Sequence, residues 1–186
     1  MNNDYSDIFD VNKVTVIKNF LTKEECELLN DWTLANKDMK WFRKGKGADN
    51  RRTTRYSNSF NFNYPEIIVD KFRQFRKEFN VEHLNIIEQG RYGIINALSY
   101  EGSELELHTD PDYGDFQSFH ITVQTSKAEV GGDLIADGVV YNVNEGDAVC
   151  FFASAIKHAT NMTEGNKPRI VWILGIQYPT KKQTLI

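Results

Sequence analysis

Leu134-Ile135-Ala136-Asp137-Gly138-Val139-Val140-Tyr141-Asn142-Val143-Asn144-Glu145-Gly146-Asp147-Ala148-Val149-Cys150-Phe151-Phe152 is the stretch whose pattern decides the fold. Three short apolar or alternating runs, Leu134–Ala136, Val139–Val143 and Ala148–Phe152, are separated by turn residues alone. Asp137-Gly138 suits a two-residue hairpin, because both central positions of such a turn need positive φ. Glu145-Gly146-Asp147 fits a second reversal. No run is long enough for a helix, so the segment reads as three successive strands.

The same period-two pattern extends in both directions. Ile94–Tyr100, Glu104–His108 and Phe119–Thr125 precede it, and Ile156–Thr160 and Arg169–Tyr178 follow. Eight short strands with brief turns imply a β-sandwich or jelly roll, two sheets covering each other with a mouth at one end. Before about residue 94 the pattern differs. Val14 to Ile17 reads as a strand, and Thr22-Lys23-Glu24-Glu25 as a capping box opening a helix to about Asn36. Leu21 and Cys26 would staple its start, with Leu28, Leu29 and Trp32 facing the core. A second helix opens near Pro65, with Ile68, Phe72, Phe75 and Phe79 on its apolar side. The fold class expected is mainly β with flanking helices (α+β). A double-stranded β-helix core at about 94–180 would be buttressed by a helical part at about 1–93, within one domain spanning 1–186.

The 186 residues suit a single core, and 40% hydrophobic with 26% charged residues is ordinary for a globular chain. No apolar run approaches membrane-span length, and the opening Met1-Asn2-Asn3-Asp4-Tyr5 is polar and acidic, so a cytoplasmic location without membrane attachment is expected. Cys26 and Cys150 each follow the apolar pattern of their own segment and read as reduced core thiols. A net charge of −4 argues against a general nucleic-acid binder. The charge is uneven, however: Lys40, Arg43, Lys44, Lys46, Arg51, Arg52 and Arg55 are opposed between residues 40 and 55 only by Asp49. That segment is either a guide for an acidic partner or a solvated loop. Tyr56, Phe60, Phe62 and Tyr64 alternate beside it, as a groove for an extended chain or as a strand packed on the helices.

His108-Thr109-Asp110 sets an imidazole and a carboxylate two residues apart at a strand end, where both can reach one ion. His158 lies on another strand, flanked by Phe151, Phe152 and Ala155. Two histidines and one carboxylate make a facial triad with open positions, a ligand set that suits Fe(II) oxygenases better than structural zinc. A lone His-x-Asp carries little weight, since such triplets are common. Arg169 adds to it. This arginine enters the apolar run Ile170-Val171-Trp172-Ile173-Leu174, where a charge needs a carboxylate partner. An ordinary ion pair with a distant acid would serve. So would a dicarboxylic acid gripped by the guanidinium at one end and by the metal at the other.

The ordered set His108-Thr109-Asp110, Gly131-Gly132-Asp133-Leu134, Gly146-Asp147-Ala148 through Phe151-Phe152, His158 and Arg169 resembles the prolyl 4-hydroxylase-like branch of the Fe(II)/2-oxoglutarate-dependent dioxygenases. Val14 through Cys26 is similar to that family's opening strand and helix, and the likeness is weakest between about Met39 and Asn63. The resemblance implies iron on His108, Asp110 and His158, and the far carboxylate of 2-oxoglutarate on Arg169. It implies that Tyr100 helps to hold the same carboxylate, and that a threonine of the Phe119–Thr125 strand touches the co-substrate. Without a gap that last position falls on His120, and with one on Thr122, so both stand as co-substrate candidates. Many relatives carry a serine where this chain has Val171. Trp172 has the opposite parity from Arg169 and should pack on the outer face.

The activity implied is oxidative decarboxylation of 2-oxoglutarate to succinate and carbon dioxide, with dioxygen as oxidant and ascorbate as a candidate reductant. The coupled reaction would hydroxylate a C–H bond of a peptidyl proline or related residue. A free amino acid or other small molecule, or a methylated nucleobase, are alternative substrates, though acidity disfavours nucleic acid. A 2-oxoglutarate-binding sensor is the non-enzymatic alternative. Oligomeric state is left open by the sequence.

Overall fold

A computed structural model describes residues 5, 7–37, 42–44, 54–56, 64–86, 93–112 and 114–180. In chain order the strands are β1 (Thr15–Ile17), β2 (Phe42–Lys44), β3 (Thr54–Tyr56), β4 (Ile94–Ser99), β5 (Leu105–His108) and β6 (Phe116–Ser126). Then come β7 (Val130–Gly131), β8 (Leu134–Ala136), β9 (Val139–Tyr141), β10 (Ala148–Phe152), β11 (His158–Thr160), β12 (Thr163–Glu164) and β13 (Arg169–Pro179). Helix α1 (Lys23–Asn36) follows β1, and α2 (Glu66–Glu78) precedes β4.

The strands form a seven-stranded sheet in the order β1-β10-β6-β13-β4-β3-β2 and a four-stranded sheet in the order β5-β11-β8-β9, with β12 and β7 as a small pair. All pairings are antiparallel among the described residues. This is a double-stranded β-helix with helices buttressing the large sheet, the fold class expected from the strand pattern.

Alternation sorts the side chains of the large sheet into two cores. Phe119, Ile121, Val123, Cys150, Phe152, Trp172 and Leu174 point outward and are buried with α1 and α2. Trp172, fully buried, meets Trp32 and Tyr64 in ring contacts at 5.4 and 5.8 Å. The opposite parity contributes Val149 and Phe151 to a smaller core between the sheets, with Leu134, Ala136, Val143 and Ile156. Period two therefore separates packing from chemistry: one face of β6, β10 and β13 anchors the helices, and the other lines the interior.

The capping box forms as the sequence indicates. Thr22 Oγ1 accepts from the Glu25 amide at 3.2 Å, and Glu25 Oε2 accepts from the Thr22 amide at 2.8 Å. Leu28 is a correction: it is 61% exposed, whereas Cys26, Leu29 and Thr33 are buried. The buried stripe of α1 runs at spacings of three and four from Cys26, and Leu28 falls off it. Asp137 and Gly138 both take positive φ, at 50° and 73°, between paired Ala136 and Val139. β6 begins at Phe116, three residues before the expected start, because its first residues pair with the end of β13, Pro179 opposite Phe116. β11 begins only at His158, because the amides of Ala155 and Ile156 turn back onto the Phe152 carbonyl.

Most of the basic segment between 40 and 55 lies outside the described residues, as do Phe60 and Phe62. Tyr56 enters as the last residue of β3. Tyr64 is a core residue: it is buried, and its hydroxyl donates to the Ile94 carbonyl at 2.6 Å. Cys26 and Cys150 are buried free thiols; burial pushes Cys26 up to about 11 and Cys150 further still. No helix among the described residues is long and apolar enough to cross a membrane.

Candidate active site

His108 ends β5 and His158 opens β11, and the two are Cα partners across the antiparallel ladder. Cross-strand partners present their side chains to the same face, so the imidazoles stand together with ring centroids 4.3 Å apart. Asp110 lies two residues beyond the strand end. Its amide donates to the Ala153 carbonyl at 2.9 Å, tying the segment to the end of β10. One ligating atom from each of His108, Asp110 and His158 lies within 4.8 Å of the others.

Hydrogen bonds decide which imidazole nitrogen faces inward. Nδ1 of His108 lies 2.7 Å from the Glu106 carbonyl, and Nδ1 of His158 lies 3.1 Å from the Ile156 carbonyl. A carbonyl oxygen only accepts, so Nδ1 carries the proton in both rings, and Nε2 keeps its lone pair. That tautomer is the one a metal-binding histidine takes when a backbone carbonyl orients it. Phe151 stands edge-on to His158 with centroids 5.1 Å apart and keeps the ring from swinging.

Asp110 is held ionised. Burial alone would raise its pKa; while the neighbouring rings are protonated, before a metal takes the place of their Nε2 protons, the His108 hydrogen bond and the charges of His120, His158 and His108 outweigh that and lower it. Its Oδ1 is 3.5 Å from His108 Nε2, and its Oδ2 is 3.4 Å from His120 Nε2. Two neutral imidazole nitrogens and one carboxylate are a sound donor set for a divalent first-row metal, and three protein ligands leave an octahedral ion with open positions.

A cavity of about 110 Å³ opens beside the triad, and Arg169 forms part of its wall. The arginine begins β13 opposite Ser99 of β4 and is 6% exposed. Gly132 makes room for it. A Cβ at Gly132, where φ is +70°, would stand 2.8 Å from Arg169 Cδ and 3.0 Å from Thr163 Cγ2. The Gly131-Gly132 pair thus has a local reason: the second glycine seats the arginine side chain.

Of the residues singled out in the sequence, His108, Asp110, His158, Arg169, His120 and Thr122 all line this cavity. Tyr100 does not. It lies beyond the end of β4 at 41% exposure, its carbonyl accepting from Ser103. Ile95 and Ala97 of β4 line the cavity, and Tyr100 has the opposite parity from them. Ile95, Ala97, Ile173 and Thr160 were missed by sequence reasoning, although Ile173 shares the parity of Arg169, and that alternation could have found it.

No protein-family model matches the sequence, and no curated protein matches it. Solved structures do match in three dimensions. A prolyl-4-hydroxylase from Pseudomonas putida superposes with a TM-score of 0.70 at 15% identity, covering 93% of this chain and 96% of that one. A viral collagen prolyl hydroxylase from Paramecium Bursaria Chlorella virus-1, in complex with 2-oxoglutarate, gives 0.64 at 17%, covering 90% and 97%. A prolyl hydroxylase from Trichoplax adhaerens, bound to a peptide fragment of the hypoxia inducible factor oxygen degradation domain, gives 0.64 at 13%, covering 91% and 86%. At these identities the likeness establishes a shared fold over nearly the whole length.

Proposed function

We propose that the chain is an Fe(II)- and 2-oxoglutarate-dependent oxygenase whose iron ligands are His108, Asp110 and His158. The observation that carries this reading is one cavity joining that triad to a buried arginine. Such a cavity suits a molecule with a metal-chelating end and a carboxylate end. Bound there, iron with 2-oxoglutarate and dioxygen would supply the oxidising power for attack on an unactivated C–H bond, with succinate and carbon dioxide as co-products.

The chain's own residues do the rest. His108 and His158 present Nε2, their tautomers set by the carbonyls behind them. Asp110 supplies the one negative ligand. Arg169 would hold the far carboxylate, its planar guanidinium able to offer two parallel donors where lysine offers a point charge. Thr122 lies along the same wall, with a hydroxyl available to the co-substrate. Ile95, Ala97, Val171 and Ile173 make the wall apolar, which excludes water from the co-substrate and strengthens the ion pair at its end.

The substrate proposed is a peptidyl proline or a related residue, supported by the fold shared with prolyl hydroxylases, one of them peptide-bound. The test is anaerobic addition of Fe(II) and then 2-oxoglutarate, watching for the weak visible charge-transfer band of an iron-chelated keto acid. The band should appear in the wild-type chain and vanish in Asp110→Ala. Folded protein that gives no band would overturn the cofactor assignment. A band without succinate release, across proline-containing peptides, would favour the sensor.

A further inference from the structure

We propose that His120 is a positioning residue that holds Asp110 as a one-oxygen ligand, an inference that rests on the iron site proposed above. The two carboxylate oxygens of Asp110 face different imidazoles. Oδ1 is on the side of His108 Nε2 at 3.5 Å, and Oδ2 is on the side of His120 Nε2 at 3.4 Å. His120 does not belong to the group of ligating atoms that lie within 4.8 Å of one another. It stands behind the carboxylate, as a partner of the ligand.

The fold gives His120 a fixed place. It sits in the middle of β6, 7% exposed, with Phe151 of β10 and Gly175 of β13 as its cross-strand neighbours. Phe151 meets its ring edge-on at 6.3 Å and also meets His158 edge-on at 5.1 Å. Gly175 contributes no side chain on that face. One phenyl ring thus packs against both a proposed ligand imidazole and the supporting imidazole.

The chemistry follows from donor and acceptor rules. A ligating carboxylate is ionised and only accepts, so the proton between Oδ2 and His120 belongs to the imidazole nitrogen. A small rotation of the carboxylate brings the pair to hydrogen-bond length. Engaging Oδ2 in this way keeps it off the metal. Were both oxygens to bind, the carboxylate would occupy two positions, and an octahedral ion could no longer take a two-atom chelate and dioxygen together. His120 therefore protects the number of open positions, which is what separates an oxygenase site from a closed one.

The test compares His120→Gln with His120→Asn in the full chain. Glutamine places its amide nitrogen near the Nε2 position, whereas asparagine has the same polarity and falls short. Each variant, checked for folding by circular dichroism, is titrated anaerobically with Co(II) and then with 2-oxoglutarate, reading the visible d–d bands. His120→Asn should lose affinity for Co(II) by about 10–100-fold, the usual consequence of removing a partner of a metal ligand. Its d–d bands should indicate a changed coordination number, and its response to 2-oxoglutarate should weaken. His120→Gln should stay close to wild type. Wild-type binding with His120→Asn equal to it, in affinity and in band shape, would overturn the role of His120 and leave the iron site standing. A wild-type chain that bound no divalent metal would overturn both.

Discussion

Gly132→Ala tests whether the glycine pair serves the arginine. The added Cβ would stand 2.8 Å from Arg169 Cδ, where carbon atoms prefer roughly 3.5–4.0 Å, so the side chain must retreat by about 1 Å. A retreat of that size breaks one of two parallel charge-assisted bonds to a bound carboxylate, worth about 1.5–3 kcal/mol. At about 1.4 kcal/mol per factor of ten, affinity for 2-oxoglutarate should fall roughly 10–100-fold. The positive φ of 70° adds a separate cost on the order of 1–2 kcal/mol in stability, or roughly 2–8 °C in Tm for a chain of this size. Gly138→Ala is the internal control, since its φ is 73° and nothing lies within 4 Å of the added atom. It should show the stability loss without the affinity loss. The assay is titration of the Fe(II)-loaded protein with 2-oxoglutarate by the visible band, beside a thermal melt. A folded Gly132→Ala with wild-type affinity would refute the seating of Arg169 by Gly132.

His158→Ala removes one of the paired imidazoles and should abolish the charge-transfer band while the far-ultraviolet circular dichroism is retained; turnover of 2-oxoglutarate at the wild-type rate would contradict the triad. Asp147 is buried and accepts from Lys18 Nζ at 2.7 Å and from the amides of Asn19 and Asn144 at 3.0 Å each. Asp147→Ala should therefore cost about 1–2 kcal/mol, read by urea denaturation, since three part-buried hydrogen bonds lose their acceptor. Burial alone would raise its pKa, but the hydrogen bonds from Lys18, Asn19 and Asn144 lower it on balance. A depressed carboxylate contributes stability that is present above the ordinary carboxylate pKa and lost as pH falls through the folded value. Asp147→Asn should thus flatten part of the acid side of the stability profile, and an unchanged slope would count against the pin. Leu29→Ala, at a fully buried site, should cost about 2–5 kcal/mol. Leu28→Ala, 61% exposed, should stay within about 0.5 kcal/mol, and equal losses in urea would mean that the buried stripe of α1 is misplaced.

Local chemistry carried a large part of this protein. The capping box at Thr22 and Glu25, the Asp137-Gly138 turn and the alternation of the eight strands depend only on neighbours along the chain. They were legible for that reason. The spacing in His108-Thr109-Asp110 is equally local, so two of three candidate ligands stood out. Leu28 shows the limit of such reasoning. Adjacent leucines on a helix look alike, and only docking against the large sheet selects which one is buried.

Non-local register decided the remainder. That His158 faces His108, fifty residues earlier, is a fact of pairing between β11 and β5. A shift of one residue would have turned the imidazole to the other face. Parity past the end of β4 puts Tyr100 away from the cavity, and the course of β13 beside β4 brings Ile95 and Ala97 to line the cavity with Arg169. His120 stood out in the sequence only as a co-substrate candidate on an alternating strand. Its meaning came from the carboxylate that tertiary structure set 3.4 Å away. Residue types and short spacings determined which groups could do chemistry. Only the pairing of distant strands determined which of them meet, because side-chain direction in a sheet depends on register, and register is settled by the whole packed core.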